Sequence, residues 1–239
     1  MSIFENAVLA SMSQAEALQL TAKGARVDLE FGAPLWEAGD RITSVYFPEG
    51  ALLSNIRLTR EGQATETGMT GYEGAGGLAE ACGSRLAGTS SIVQVGGAAW
   101  RVPAEDCRAL AIRGGAFTEA LFRLTEFQLI ESRQSALCRS FHLAEARLAR
   151  WLLESRDRSG AKTTLPMTQE FLAAMLGVRR TTVTAFAGEL QQRDLIRYSR
   201  GTIEFIDPVG LEDLACECRH VLVEERARLS GRASPLKRA

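Results

Sequence analysis

The chain has 239 residues, 46% of them hydrophobic, with 28 Lys and Arg against 29 Asp and Glu and a formal net charge of −1. That is enough apolar material for two modest packed domains, and no apolar run reaches the ~20 residues needed to cross a bilayer. Five scattered cysteines, an odd number, argue against a disulfide framework; with no basic start or cleavage site at the amino terminus, a cytoplasmic protein with reduced thiols is expected.

In chain order, residues 4–22 predict a short amphipathic helix with Val8, Leu9, Met12, Leu18 and Leu20 as its apolar positions. Strand-like runs follow at Val27–Phe31, Ser44–Phe47, Ala51–Leu58, Ala64–Thr70, Ser90–Val95 and Ala98–Val102. They are separated by turn pairs such as Gly39-Asp40, Glu49-Gly50, Glu61-Gly62 and Gly96-Gly97. Many short strands at close spacing predict an antiparallel sandwich or roll.

From Phe117 to Arg156 the pattern turns helical, with a break near His142. Phe117, Leu121, Leu124, Gln128, Glu131, Ser135, Cys138 and His142 follow alternating steps of four and three. Such a seam can pair with a second copy of itself, and Phe117, Leu121, Leu124, Gln128 and Cys138 are assigned to a dimer interface. The competing arrangement packs this helix on its own roll through Phe122, Leu129 and Ile130. A second helix, Leu143–Ser155, buries Leu148, Trp151 and Leu152.

The stretch TQEFLAAMLGVRRTTVTAFAGELQQRDLIRYSRGTIEF, beginning at Thr168, carries the most information. Thr168 is placed to cap a helix whose Phe171, Leu172, Met175 and Leu176 line one face. Gly177 permits a sharp turn, and Val178 is its buried residue. The next helix opens on Arg179, Arg180, Thr181 and Thr182, buries Val183, Phe186 and Leu190, and has no acidic residue before Glu189. Leu195 to Phe205 reads as a hairpin turning at Gly201 with a cationic tip. Short polar and cationic groups at a helix start, beside a cationic hairpin, suit a major groove and its phosphates. A winged helix-turn-helix that binds double-stranded DNA is expected. Arg180, Thr181 and Thr184 are the expected base readers. Thr168, Gln169, Arg179, Thr182, Ser199 and Arg200 are the expected backbone contacts.

A final helix is predicted over 211–229, followed by a small, basic tail, SGRASPLKRA. The charge distribution agrees with this division: residues 140–239 carry 16 basic and 13 acidic side chains, against 12 and 16 before them. The expected organisation is a sensor-like roll (1–115), a dimerisation helix (116–142), a winged helix-turn-helix (143–208) and a carboxy-terminal helix with the tail (209–239).

This order resembles the family of the cyclic-AMP receptor protein and the fumarate–nitrate regulator (CRP/FNR). The resemblance rests on GDRITSVYFPEGALLSNI in the roll and on EARLARWLL with LPMTQEFLAAMLGVRRTTVTAFAGELQQRDLIRYSRG behind it, and it spans about residues 25–206. It implies an α+β protein with a cyclic-nucleotide-binding-like jelly roll, acting as a homodimeric transcription regulator on a palindromic operator, with RNA polymerase as a further partner. Cyclic-nucleotide binders of the family carry Gly-Glu-Leu and Arg-Ser/Thr-Ala. Here Gly77 falls at the glutamate position, and Leu86-Ala87-Gly88-Thr89-Ser90-Ser91 lacks the arginine. An anionic phosphate buried there would have no bidentate cation, so cyclic AMP is disfavoured. No cysteine precedes Cys82, which disfavours the family's amino-terminal iron–sulfur cluster. No cofactor is expected, and the effector is not legible.

Two Cys/His pairs stand apart from this scheme. Cys138 and His142 lie one helical turn apart, so two chains would bring four ligands together at a seam. In Cys216-Glu217-Cys218-Arg219-His220, read as helix, Cys216 and Cys218 diverge while Cys216 and His220 share a face. A structural role is expected for both, with no metal. No phosphate-binding loop, zinc-protease helix or nucleophile elbow is present, and two histidines are too few for a cupin-like metal centre, so no enzyme is expected. The alternative is a ligand-binding regulatory module whose helix-turn-helix docks a protein partner.

Overall fold

The computed structural model describes residues 4–230. The amino-terminal segment forms two helices, α1 (Ala7–Ala10) and α2 (Gln14–Thr21), where one was expected. The break is a competition for backbone donors. Asn6 accepts from the Val8 and Leu9 amides, and Ser13 accepts from that of Glu16, so each residue starts a new helix. Asn6 is fully buried and its amide also donates to the carbonyls of Pro48 and Gly74, which fastens the segment to the roll.

The roll comprises β1 (Ala25–Leu29), β2 (Pro34–Trp36), β3 (Ser44–Pro48), β4 (Leu52–Leu58), β5 (Ala64–Thr70), β6 (Ser90–Val95) and β7 (Gly97–Pro103), with α3 (Leu78–Cys82) between β5 and β6 and α4 (Ala104–Arg113) after β7. Its two antiparallel sheets run β1-β7-β3 and β2-β6-β4-β5. The expected strands form, within a residue or two. Strand β2 and helices α3 and α4 were not anticipated; β2 and α3, at three and five residues, are too short to carry a periodic signal.

Helix α5 (Ala116–Phe141) runs almost unbroken along the roll, with the expected limits. Its faces are reversed from expectation. Phe117, Leu121, Leu124 and Cys138 are buried inside the protomer, the first three in the core they share with Phe47, Leu78 and Val102. Phe122, Leu129, Leu137 and Phe141 are exposed instead. The assignment of the former four to a dimer interface is therefore corrected. Heptad spacing occurs on two faces of this helix, and the roll, by its own apolar surface, claims the one with the larger early residues. Gln128 is half-buried.

Helix α6 (Ala144–Arg158) leads to β8 (Thr164–Pro166), α7 (Gln169–Leu176), α8 (Arg180–Gln192), β9 (Ile196–Ser199) and β10 (Thr202–Phe205). The wing is a three-stranded sheet, β8-β10-β9, rather than a lone hairpin. Helix α9 (Pro208–Glu212) follows, and the last helix, α10 (Cys218–Ser230), begins seven residues later than expected. The basic tail expected beyond it lies outside the described residues.

One apolar core joins the roll to the carboxy-terminal module. Leu52, Ile56, Met69 and Val95 of the roll share it with Trp151, Leu152, Leu172 and Met175. Phe31 also meets Phe171, with ring centroids 5.7 Å apart. Gly71 allows the closest approach, since a Cβ there would lie 2.2 Å from the Arg158 carbonyl oxygen. Among the described residues, no helix is long and apolar enough to cross a membrane.

Candidate nucleic-acid interface

Thr168 caps α7 as its sequence suggests, accepting the Phe171 amide at 3.1 Å. Gly177 ends that helix in the left-handed region (φ 63°), which turns the chain into α8. Val183, Phe186 and Leu190 anchor α8 in the core, so Arg179, Arg180, Thr181, Thr184 and Ala185 are left facing solvent. Thr182 is half-buried. In the wing, Arg200 (φ 49°) and Gly201 (φ 73°) form a tight turn whose geometry suits the twist of the hairpin.

The tertiary structure gathers the separated sites. Thr168, Gln169, Arg180, Ser199 and Arg200 line one groove between the two helices and the wing, with Glu170, Tyr198 and Gly201. Gln169 holds the two helices in register: Thr184 donates to its side-chain oxygen at 2.7 Å. Tyr198 donates to the Met167 carbonyl at 2.9 Å and fixes the wing against the start of α7.

Glu170 was missed in the sequence. Its carboxylate lies 2.8 Å from the Arg180 guanidinium. It belongs to α7, so an inspection of α8 alone for acidic residues could not find it. Both side chains are more than half exposed, so the pair is worth about 1 kcal/mol or less and yields readily to a better acceptor.

Residues 146–214 match the Crp-like helix-turn-helix domain. The carboxy-terminal module is therefore a Crp-like helix-turn-helix domain. No curated protein matches the chain in sequence. Solved structures match it in fold. FixK2 from Bradyrhizobium japonicum superposes with a TM-score of 0.68 at 14% identity, over 81% of this chain and 98% of that one. TTHA1359, a CRP/FNR-family transcriptional regulator from Thermus thermophilus, gives 0.63 at 22% identity over 80% and 98%. The c-di-GMP-responsive global regulator CLP from Xanthomonas campestris gives 0.62 at 15% over 80% and 98%. The chain thus has the CRP/FNR fold from roll to wing, and the Crp-like module occupies the expected place in it.

In the roll, Gly77 sits at φ 79°, and a Cβ there would come within 3.2 Å of Ile42 and 3.4 Å of Trp36. A glutamate at that position would be both strained and crowded. Ser90, in the segment where the family's arginine is absent, donates to the Glu37 carboxylate at 2.7 Å. That places a negative charge, rather than a cation, beside this segment.

Behind the Crp-like module lies a buried ionic network that sequence reasoning did not anticipate. Arg158, 1% exposed, lies 2.6 Å from Glu73 and 3.8 Å from Glu154, and it donates to Glu131 and to the Met69 carbonyl. Burial alone would lower its pKa, but Glu131, Glu73 and Glu154 together raise it. Glu131 is pushed up by burial against the pull of Arg158. Glu73 is also buried, yet Arg158 and Arg226 hold it below the usual carboxylate range. Nearby, Glu66 accepts from Ser54 (2.6 Å) and Trp151 (2.8 Å), and burial raises its carboxyl to about 7.

The cysteines also depart from expectation. Cys216 precedes α10, so the divergence of i and i+2 on a helix does not apply to it. Cys216 and Cys218 turn together onto Cys138 and His142 of the same chain, with the four donor atoms within 4.8 Å of one another. His220, paired with Cys216 by helical spacing, is exposed and outside this group. Cys138 accordingly faces its own chain rather than a seam between chains.

Proposed function

We propose that the protein is a homodimeric, cytoplasmic transcription regulator that reads a palindromic operator through α8. The observation that carries this reading is the single groove in which Thr168, Gln169, Arg180, Ser199 and Arg200 converge on a Crp-like module. Arg180, released from Glu170, forks to guanine O6 and N7, with Thr181 and Thr184 adding sequence preference. Arg179, Thr168, Gln169, Thr182, Ser199 and Arg200 hold phosphates and set the register. RNA polymerase is the further partner, and the crowding at Gly77 together with Glu37 beside Ser90 disfavours cyclic AMP as effector.

Selection from a randomised duplex library should enrich a two-fold symmetric motif with half-sites about one helical turn, ~10 bp, apart. On that motif Arg180→Ala should cost about 1–3 kcal/mol and relax selectivity, whereas Arg200→Ala should weaken all sequences alike and shallow the salt dependence. If Arg180→Ala kept its selectivity, α8 would not be the reading helix. Binding that is insensitive to salt would instead favour a protein partner for the module.

The exposed stripe of α5, with Phe122 at 68% and Phe141 at 80% exposure, supports pairing of two protomers along this helix. Phe122→Glu combined with Leu129→Glu should convert a dimer to a monomer in sedimentation equilibrium and abolish binding to the two-fold site. A double variant that stayed dimeric would place the interface elsewhere.

A further inference from the structure

We propose that Cys138, His142, Cys216 and Cys218 form a tetrahedral site for one zinc ion within each protomer, at the junction between the long helix and the Crp-like module. Cys138 lies in the last turn of α5, and His142 caps that helix where the chain breaks towards α6. Cys216 and Cys218 come from the link between α9 and α10 and the first residue of α10. Residues far apart in sequence are thus brought to one point, and the three cysteines are each at most 6% exposed.

The distances fit one ion. A tetrahedron with Zn–S of ~2.3 Å and Zn–N of ~2.0 Å has edges of roughly 3.5–3.8 Å. The Cys138 and Cys216 sulfurs are 3.5 Å apart, and Cys218 Sγ is 3.4 Å from His142 Nδ1. All four donors lie within 4.8 Å of one another, leaving modest contraction for the longer edges. A multi-iron cluster would spread its thiolates over more than one iron, so some of the donor pairs would lie farther apart than a single tetrahedral edge.

The surroundings fit as well. Glu217 contacts His142 Nε2 at 3.0 Å, which keeps the proton on Nε2 and turns the Nδ1 lone pair to the sulfurs. This carboxylate–histidine relay is a common outer shell of zinc sites. Gln134 Nε2 donates to Cys218 Sγ at 3.1 Å, which suits a thiolate. Zinc with three thiolates and a neutral imidazole carries one net negative charge. Arg150, a half-buried cation that interacts electrostatically with all three cysteines, offsets it, and its buried Nε has no hydrogen-bond partner. An ion here ties α10 to the end of α5 and fixes the angle at which α6 leaves.

The test uses the full chain, purified under reductant, and does not depend on DNA binding. Elemental analysis should find one zinc per protomer. After exchange, Co²⁺ should give the visible bands of a tetrahedral, thiolate-rich site. Cys218→Ser should abolish that spectrum. Glu217→Gln, at an exposed carboxylate that leaves the packing intact, should weaken Co²⁺ binding by ~10–100-fold, while His220→Ala should leave it unchanged. No tetrahedral spectrum in the reduced protein, or several irons per protomer, would each overturn the proposal.

Discussion

Arg158→Met should destabilise the protein by about 3–5 kcal/mol, an effect on the scale of a domain's whole stability. The arginine lies among Glu73, Glu131 and Glu154, each at most 7% exposed at its side chain. Removing it leaves carboxylates buried without their cation, and that uncompensated charge, rather than the loss of attraction, sets the size of the effect. Chemical denaturation at neutral pH measures it. Replacing Arg158 together with Glu73 and Glu131 by apolar residues of similar volume should recover much of the loss. A single-variant loss below about 1 kcal/mol would mean that water reaches this network. The effect should also reach DNA binding, because Arg158 ends α6 and its carboxylate partners come from the roll and α5 as well as from α6 itself.

Stability should fall as pH rises from about 4.5 to 7, and Glu66→Gln should remove that contribution. Burial raises the Glu66 carboxyl to about 7, helped by Glu131 and opposed by the bonds from Ser54 and Trp151 and by Arg158. The native state therefore keeps this proton where the unfolded chain has lost it. The resulting cost starts above the unfolded pKa and is complete above the folded one, where it is on the order of 3 kcal/mol. The glutamine should be close to neutral at pH 5 and stabilising at pH 8, as read from Tm at both values. Equal effects at the two pH values would show that Glu66 is ionised throughout. Since Glu66 is on β5 and its donor Trp151 on α6, the same titration acts on the join between roll and Crp-like module.

The helix-turn-helix was legible because its signals are local. A capping threonine, a glycine that must adopt a left-handed turn, and apolar residues at helical spacing act within one or two turns of chain. Residues 168–205 accordingly adopt the expected elements, and the β-strands of the roll follow from alternation and turn pairs in the same way. The wing's third strand, Thr164–Pro166, was hidden because three residues carry too little periodicity to declare themselves.

Helix α5 shows the boundary. Its existence and limits follow from composition, but two apolar stripes run along it and periodicity alone cannot rank them. The roll decided, by burying Phe117, Leu121 and Leu124 and leaving Phe122 and Phe141 to solvent. The same limit applies wherever partners are distant in sequence. Glu170 beside Arg180, Arg158 among its carboxylates, and Cys138 with His142, Cys216 and Cys218 are encounters that depend on how whole elements dock. The amino-acid sequence by itself determined the order of elements and the run of cationic and hydroxyl side chains that opens α8 and lies exposed there. Only the tertiary structure decided which face of the long helix is free, which charges are buried together and which thiols meet, because docking of elements depends on the burial of all their faces at once and not on the pattern of any one of them.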